Sequence, residues 1–380
     1  MNMVTEIELN QQLAIIGKGI FEGCTSLEKV TLPFINYDRT SQEAKYSFAL
    51  MFGKTSLDKT YSVGYESLKY YLPTSLKTVV LNLSYDIPAY AFSNCKEITT
   101  IDLATNTTNI GEYAFRNCTG LTSFNVPTEV TTISQGTFYG CTNLETITFK
   151  SPCTICEEAF TRCTGLKSIY TAGGMYFKEN SITDVNATNL YIDGPSSYNV
   201  FNNGSESINE SIFMKVENIY VKDENDNYII PTELTVEQGS LMENQLYGLK
   251  IKKLIITDNC YDIALGGLAG IRDLESLTIQ MVGLDYLYDT TPDNTEFRTY
   301  FGIIFGSTPY ENSLPDYTDG VKTMAFYIPK TLKEVIVTGG EYIAEGAFRG
   351  ISSITNVILP STIIAVGKDA FTGTSFLYNA

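Results

Sequence analysis

Histidine and tryptophan are both missing from this 380-residue chain. Without histidine there can be no Ser-His-Asp or Cys-His nucleophilic site, no His-ligated zinc and no imidazole general base. Catalysis by paired carboxylates or by a Ser-Lys arrangement survives this exclusion, but no carboxylate pair in the sequence has supporting context. We therefore predict that the protein is not an enzyme and that it binds no cofactor or metal.

Basic residues are also scarce, because 26 Lys and Arg stand against 43 Asp and Glu and give a formal net charge of −17. A field of this sign repels nucleic-acid phosphates and anionic membrane surfaces, and no Lys/Arg stripe offsets it. No apolar run is long enough to span a bilayer. The start MNMVTEIELN lacks the basic and apolar parts of a signal peptide. We expect that nucleic acid is not a partner and that the protein is not an integral membrane protein. Either the protein is intracellular, or its targeting segment lies outside this chain.

What the chain does contain is a repeat built around phenylalanine. The phenylalanines from Phe92 to Phe160 stand 23, 23 and 22 residues apart, and Phe348 and Phe371 repeat the 23-residue step. An Ile or Val lies five residues before each one, and apolar residues lie six and nine residues after it. A cysteine follows three residues later in five copies. A fixed period of this length predicts a solenoid in which each coil buries its apolar side against the next.

Each repeat also predicts its own local structure. The segments LTSFNV and LETITF alternate apolar and polar residues, which is typical of a short strand with one buried face. The segment YAFRNC suits a single helical turn with its apolar residues directed inward. Strands in neighbouring coils lie about 4.8 Å apart, so each repeat position becomes a column along the solenoid. About twelve coils can be traced.

This pattern resembles the BspA-type leucine-rich repeats, whose unit reads approximately L-x-x-I-x-L-P-x-x-x-x-x-I-x-x-x-A-F-x-x-C-x-x-L. The resemblance is close over residues 81–171 and 335–380 and clear at 13–33. It implies an α/β, β-rich fold, a right-handed solenoid with a parallel sheet on one face and short turns on the other. It also implies an extracellular or cell-surface bacterial protein of a kind linked to adhesion.

We predict one solenoid over residues 1–380, interrupted by two long insertions. The insertions resemble each other, since Phe52-Gly53 matches Phe305-Gly306 and Leu72-Pro73 matches Ile328-Pro329. A duplication, or one structural device used twice, would explain this likeness. Regular repeats are expected at 13–33, 76–171 and 332–380, degenerate repeats at 172–280, and the insertions at 34–72 and 281–327.

The cysteines allow two interpretations. Five of them (Cys24, Cys95, Cys118, Cys141 and Cys163) share one column of the predicted core, which favours free buried thiols, although a disulfide framework would suit a secreted protein. Cys153 and Cys156 form a C-x-x-C, a spacing that also occurs in redox sites and zinc half-sites. Because no second C-x-x-C exists, the sequence favours a structural role for both.

The segment DENDN, from Asp223, has the D-x-N-x-N spacing of a calcium loop. However, the sixth loop position is Tyr228 and the twelfth is Leu234, where glycine and glutamate are needed. We therefore predict a polar hairpin turn between the strands IYV and YII.

The candidate binding site lies on the outward face of the predicted sheet. Tyrosines take the same outward place in three successive coils and predict an aromatic ladder, which suits protein interfaces and sugar stacking alike. Strand propensity alone would also favour Tyr and Thr here. The predicted binding residues are Tyr170, Tyr191, Tyr220, Asp102, Asn125 and Thr148. The insertions add further tyrosines, namely Tyr61, Tyr65, Tyr70, Tyr71, Tyr286, Tyr288, Tyr300, Tyr310 and Tyr317.

The sequence thus predicts a non-catalytic binding module that holds another macromolecule through its sheet face and its tyrosine-rich insertions. The expected partner is a protein, such as a host matrix or cell-surface protein. Two alternatives stay open. One is a carbohydrate-binding accessory protein that uses the tyrosine ladder as a stacking platform for a glycan, and the other is a structural spacer of a larger surface protein.

Overall fold

A computed structural model gives the fold as two compact units, one of residues 1–193 and 215–219 and the other of residues 194–214 and 220–380. The part of the chain that the structure describes winds as a β-solenoid with parallel sheets and has almost no helix. The predicted fold class is therefore confirmed, whereas the single solenoid over 1–380 stays a prediction. The described residues are 4–35, 46–65, 68–172, 175–178, 180–185, 187–193, 218–222, 225–236, 239–241, 246–280, 301–317 and 325–375.

The first unit contains fifteen complete strands within the described ranges, together with one 3-10 helix at Ala49–Phe52. The strands are β1 Glu6–Glu8, β2 Lys29–Leu32, β3 Thr60–Tyr65, β4 Leu68–Pro73, β5 Thr78–Leu81, β6 Asp86–Ile87, β7 Thr100–Asp102, β8 Asn109–Ile110, β9 Ser123–Val126, β10 Thr132–Ile133, β11 Thr146–Phe149, β12 Cys153–Ile155, β13 Ser168–Thr171, β14 Met175–Phe177 and β15 Asn189–Ile192.

The second unit holds the remaining strands of the described ranges and a 3-10 helix at Phe301–Phe305; strand β16 begins in the first unit and continues here. These strands are β16 Asn218–Lys222, β17 Tyr228–Ile229, β18 Glu233–Val236, β19 Gly239–Leu241, β20 Lys253–Ile256, β21 Cys260–Ile263, β22 Ser276–Ile279, β23 Ser313–Tyr317, β24 Ala325–Pro329, β25 Glu334–Val337, β26 Tyr342–Ile343, β27 Asn356–Ile358 and β28 Ala365–Val366.

Parallel strands of successive coils form the main sheets of the first unit. One sheet has the order β1-β2-β5-β7, and β9, β11, β13 and β15 follow one another in a second. Phe124 is in register with Ile147, which is in register with Ile169, and all three are buried. The alternation of apolar and polar residues therefore places one predicted column in the core. The residues on either side of that column along each strand face outward.

Short strands build a second side of each coil. Strands β10, β12 and β14 form a parallel sheet, and β6 pairs with β8. Ile133 is in register with Ile155, and Ile87 with Ile110, and all four are fully buried. These are the apolar residues that the sequence places five positions before each phenylalanine.

The third side of the coil is a ladder of tight turns, where the sequence predicted a helical turn. Ala114 N–H donates to Gly111 O at 3.2 Å, three residues back, whereas Phe115 N–H donates to Thr137 O in the next coil at 2.9 Å. Tyr113 has φ 53°, which is incompatible with a right-handed helix. The residues two places before and two places after the phenylalanine thus have left-handed backbone conformations, which fold the segment into turns. Every second N–H group of these turns donates a hydrogen bond to the neighbouring coil.

The phenylalanine column is confirmed. Phe92 and Phe115 stack with ring centroids 5.5 Å apart, and Phe115 and Phe138 lie 5.3 Å apart. Phe138 and Phe160 are also separated by 5.3 Å, with an interplanar angle of 5°. Each of these rings is at most 2% exposed, so the repeated phenylalanine forms a continuous buried stack.

The two insertions contain the same structural device. In each, a 3-10 helix is followed by an antiparallel hairpin, β3–β4 in one and β23–β24 in the other. Tyr71 N–H donates to Gly53 O at 3.1 Å, and Tyr327 N–H donates to Gly306 O at 3.0 Å. The likeness that the sequence predicted therefore extends to equivalent backbone hydrogen bonds. Residues 36–45, 66–67, 281–300 and 318–324 of these segments lie outside the described residues.

Both insertions also continue the core, which the sequence spacing did not reveal. The ring of Phe48 lies 4.7 Å from that of Phe92, and the ring of Phe301 lies 5.0 Å from that of Phe348. Phe48 and Phe301 are buried. Each insertion thus supplies a phenylalanine to the column before its hairpin leaves the coil.

The second unit repeats the same architecture. Its main sheet has the order β18-β20-β22-β25-β27, with all neighbours parallel. Strands β16 and β17 pair antiparallel, with Val221 opposite Ile229, which is the hairpin predicted around DENDN. Asp223 and Glu224 of that turn lie outside the described residues.

Candidate functional site

Four of the six predicted binding residues lie side by side on the outward face of strands β9, β11, β13 and β15. Asn125 is in register with Thr148, Thr148 with Tyr170, and Tyr170 with Tyr191. Asn125 is exposed and the other three are half-buried. We call these four residues the tyrosine row. Since parallel strands in register hold their side chains at one spacing, the row is rigidly placed by the coils beneath it.

The two tyrosines of the row stack against each other. Their ring centroids are 4.3 Å apart and their planes differ by 6°. The ring faces that are turned toward each other are covered, so neither of them can receive the flat face of a sugar. The pair offers a ligand its ring edges and hydroxyl groups, and such groups are typical of contacts at protein interfaces.

A second outward row runs beside the tyrosine row and consists of small polar residues. Ser123, Thr146, Ser168 and Asn189 occupy successive strands in register. The side chain of Asn218 donates from Nδ2 to Asn189 Oδ1 at 3.1 Å and continues the row. Asn189 and Asn218 were not identified from the sequence. Each lies one residue before the first buried residue of its strand, and this spacing predicts an outward-facing side chain.

The other two predicted residues are Asp102 and Tyr220. Asp102 is exposed on β7, in the other main sheet, where it is in register with Val80 of β5. Tyr220 belongs to the second unit, where it is half-buried on β16 between the buried residues Ile219 and Val221. The structure thus brings together Asn125, Thr148, Tyr170 and Tyr191, and it does not place Asp102 in their sheet.

Charge is confined to the margins of this face. The outward positions of β9, β11, β13 and β15 are all Ser, Thr, Asn or Tyr in the two rows above. The nearest ion pair in the sequence joins Lys167 Nζ and Glu145 Oε1 at 2.8 Å, just before β13 and β11 begin. Such an exposed pair contributes little to stability. A protein of charge −17 therefore carries an uncharged face here.

Two tyrosines of the insertions serve packing. Tyr70 and Tyr310 are buried at 5% and 8% exposure, and burial raises the pKa of the Tyr61 and Tyr310 hydroxyls. Their burial leaves Tyr70 and Tyr310 little surface for recognition, and the role of the other insertion tyrosines stays a prediction. Tyr286, Tyr288 and Tyr300 lie outside the described residues.

None of the eight cysteines, all of which lie in the described residues, forms a disulfide, and the column argument predicted this for five of them. Cys95, Cys118, Cys141 and Cys163 are buried, and Cys24 is half-buried. Burial raises the pKa of the Cys141 and Cys153 thiols to about 12, which leaves them protonated at neutral pH. Since the thiolate is the reactive form, this electrostatic environment gives these residues no nucleophilic role.

Two further kinds of site, for metals and for membranes, are absent from the described residues. Within those ranges, no group of three or more His, Cys, Asp and Glu side chains is placed to hold a metal ion. No helix in the same ranges is long and apolar enough to cross a membrane.

The comparisons with known proteins point to one kind of repeat. The family model described as a BspA type leucine rich repeat region matches six copies, within residues 1–59, 85–220 and 311–379. No curated protein sequence matches this chain significantly.

Several solved structures are similar at low identity. A leucine-rich repeat protein from Bacteroides ovatus ATCC 8483 is 19% identical, with 98% of this chain and 73% of that chain covered and a TM-score of 0.36. A leucine rich cell surface protein from Faecalibacterium prausnitzii A2-165 is 14% identical, with coverages of 79% and 86% and a TM-score of 0.26. A leucine-rich repeat protein from Eubacterium ventriosum ATCC 27560 is 13% identical, with coverages of 99% and 84% and a TM-score of 0.24.

Proposed function

Because the chain belongs to the BspA-type leucine-rich repeat family, we propose that it is a non-catalytic module of a cell-surface or secreted bacterial protein that binds another protein, as in adhesion. Repeat solenoids of this kind are scaffolds that present extended binding surfaces. The location and the partner class rest on the family, since fold alone does not determine function.

One observation carries the choice of surface. The outward face of β9, β11, β13 and β15 is uncharged and in register, and it holds a stacked pair of tyrosines in an otherwise acidic protein. The centres of protein interfaces are depleted of charge and enriched in tyrosine, and the small polar residues beside the pair can exclude water around it. We therefore assign Tyr170 and Tyr191 as the anchors and Asn125 and Thr148 as their polar surround.

The stacking of Tyr170 on Tyr191 also makes the carbohydrate alternative weaker. Sugar recognition by stacking needs an open aromatic face, and the stacked pair covers one face of each ring. Tyrosine edges and hydroxyls suit a protein surface better. A glycan partner and a structural spacer become outcomes of the test below.

The test measures binding of the purified chain to a panel of immobilised extracellular matrix and cell-surface proteins, and in parallel to a glycan panel. We expect a protein partner, and we expect the double substitution Tyr170→Ser and Tyr191→Ser to weaken its binding by about tenfold or more, as loss of a tyrosine hot spot does. Tyr85→Ser is the matched control, because Tyr85 is 60% exposed in the same unit and lies outside the tyrosine row.

Three results would contradict the proposal. Undiminished binding by the folded double variant would remove the tyrosine row from the interface. Saturable binding to glycans alone would favour the carbohydrate function. An absence of binding to either panel would favour a spacer.

A further inference from the structure

A second cluster of aromatic and charged side chains lies on the turn side of the coils, away from the strands of the tyrosine row. Tyr90 and Tyr113 occupy the same repeat position, two residues before the column phenylalanine, and stack with centroids 5.2 Å apart. The Tyr113 ring passes over Gly136, where any Cβ would overlap it. Its hydroxyl donates to Glu158 Oε2 at 2.9 Å, two coils further on. The missing side chain of Gly136 thus lets one tyrosine bridge three coils.

Two arginines pack on the next tyrosine of this side. The guanidinium carbon of Arg116 lies 5.2 Å from the ring centroid of Tyr139 and 5.7 Å from that of Tyr113. The guanidinium carbon of Arg162 lies 5.6 Å from the same Tyr139 centroid. These distances are within the range of cation–π contact. Because both cations contact one ring, they are neighbours on this side of the coils.

These arginines have no acidic partner in the part of the chain that the structure describes. No carboxylate oxygen there lies within ion-pair distance of either one, whereas Arg272 pairs with Glu311 at 2.6 Å. Arg116 Nε is buried, and among the described residues nothing accepts its hydrogen bond. Glu158, the acidic member of the cluster, accepts the Tyr113 hydroxyl instead. Arg116 as a residue is only half-buried and Arg162 is exposed, so these unpaired guanidinium groups can meet an external acceptor.

We propose that Arg116 and Arg162 form a binding site for carboxylate groups of an acidic segment in a partner protein, on a side of the coil separate from the tyrosine row. A guanidinium that stacks on an aromatic ring keeps its in-plane N–H donors available, and this planar fork matches a carboxylate. Carboxylates on alternate residues of an extended peptide lie about 7 Å apart. Two cations on one tyrosine can meet such a pair.

The charge of the protein favours this occupant over a polyanionic one. With 43 acidic groups against 26 basic ones, the chain repels dense polyanions such as sulfated polysaccharides. A short peptide with two carboxylates among neutral residues needs only the local attraction of the arginines. A neutral sugar is disfavoured as well, because the guanidinium groups pack on Tyr139 and Tyr113 stacks with Tyr90.

The experiment uses the full chain labelled with ¹⁵N-arginine, in which the Nε–H resonances of Arg116 and Arg162 are followed during titration. The probes are the capped peptide Gly-Glu-Ser-Glu-Gly, its counterpart Gly-Gln-Ser-Gln-Gly, and a heparin-derived hexasaccharide. We expect saturable shifts of both arginines with the glutamate peptide alone, and weaker binding as salt is raised. The double substitution Arg116→Gln and Arg162→Gln should weaken the peptide's affinity by about tenfold or more.

The control is Arg349→Gln, which removes one positive charge at the repeat position of Arg116, one residue after Phe348, in the second unit. Its affinity for the glutamate peptide should equal that of the native chain. Thermal melting of each variant verifies that it is folded. The proposal is overturned if the glutamine peptide shifts the two arginines equally, if the glutamate peptide shifts neither, or if the hexasaccharide binds there more tightly than the glutamate peptide.

Discussion

The thiol of Cys141 donates a hydrogen bond to the backbone carbonyl oxygen of Phe115, one coil back, over an Sγ–O distance of 3.1 Å. The same carbonyl accepts the N–H of Cys118 at 3.1 Å, so both of its lone pairs are used. Equivalent bonds join Cys118 to Phe92 and Cys163 to Phe138. The cysteine column is therefore more than apolar filler, because each of these three thiols links one coil to the one before it through a buried bond.

Replacement of Cys141 by alanine should lower the free energy of unfolding by about 1–2 kcal/mol, since it removes a buried hydrogen bond and leaves a small cavity. Urea unfolding followed by circular dichroism measures this. Cys24→Ala is the matched control, because Cys24 takes the same column position but is only half-buried, and its loss should be smaller. Equal losses at the two positions would contradict the role assigned to the thiol bond.

Alkaline pH should destabilise the fold through the same column. Burial raises the pKa of Cys141 from 9.0 to about 12, so between these values the unfolded chain has released a proton that the folded chain still binds. The stability that the protonated Cys141 thiol contributes is therefore fully present below pH 9 and is lost as the pH rises toward 12. Urea midpoints measured from pH 8 to pH 11 should fall, and Cys141→Ala should make the decline shallower by about 1 kcal/mol per pH unit. An identical decline in that variant would show that other groups control it.

The phenylalanine column gives a third prediction. Phe115→Ala should cost about 3–5 kcal/mol, because it removes a fully buried ring that stacks on Phe92 and Phe138. Phe371→Ala is the control, because Phe371 has the same repeat position and stacks on Phe348 but is only half-buried. A similar loss of unfolding free energy in both variants would contradict the view that depth within the stack determines the contribution.

Much of this fold could be predicted from the sequence because its core is a set of columns. A residue that recurs every 22 or 23 positions and stays apolar must face the same way in each coil, so Phe115 and Phe138 could be placed together without coordinates. The same logic placed Tyr170 beside Tyr191, since the residue between two buried strand positions faces outward.

Other features depend on contacts that periodicity does not encode. The arginines at 116 and 162 sit at different repeat positions two coils apart, and they meet only because Tyr139 lies between them. The sequence did not predict that Phe48 belongs to the phenylalanine column, because the residues around it follow no repeat spacing, although its ring contacts Phe92. The turns around each phenylalanine were mistaken for helix because YAFRNC has an acceptable helical pattern. The Asn and Gly that recur two residues after the phenylalanine were the missed signal, as both favour the left-handed conformation of the backbone.

The last prediction concerns one of these left-handed positions. Gly140 has φ 72°, and a Cβ there would overlap the side-chain oxygen of Asn117 in the preceding coil. Gly140→Ala should therefore lower the unfolding free energy by about 1–2 kcal/mol from backbone strain alone, with a further loss from displacement of Asn117. Gly23 separates the two effects, because it has φ 85° at the same repeat position and a Cβ added there would meet no atom within 4 Å. Gly23→Ala should show the backbone cost only. If urea unfolding gives equal losses for the two variants, the close approach of Asn117 contributes nothing, and the coils can move apart there at no cost.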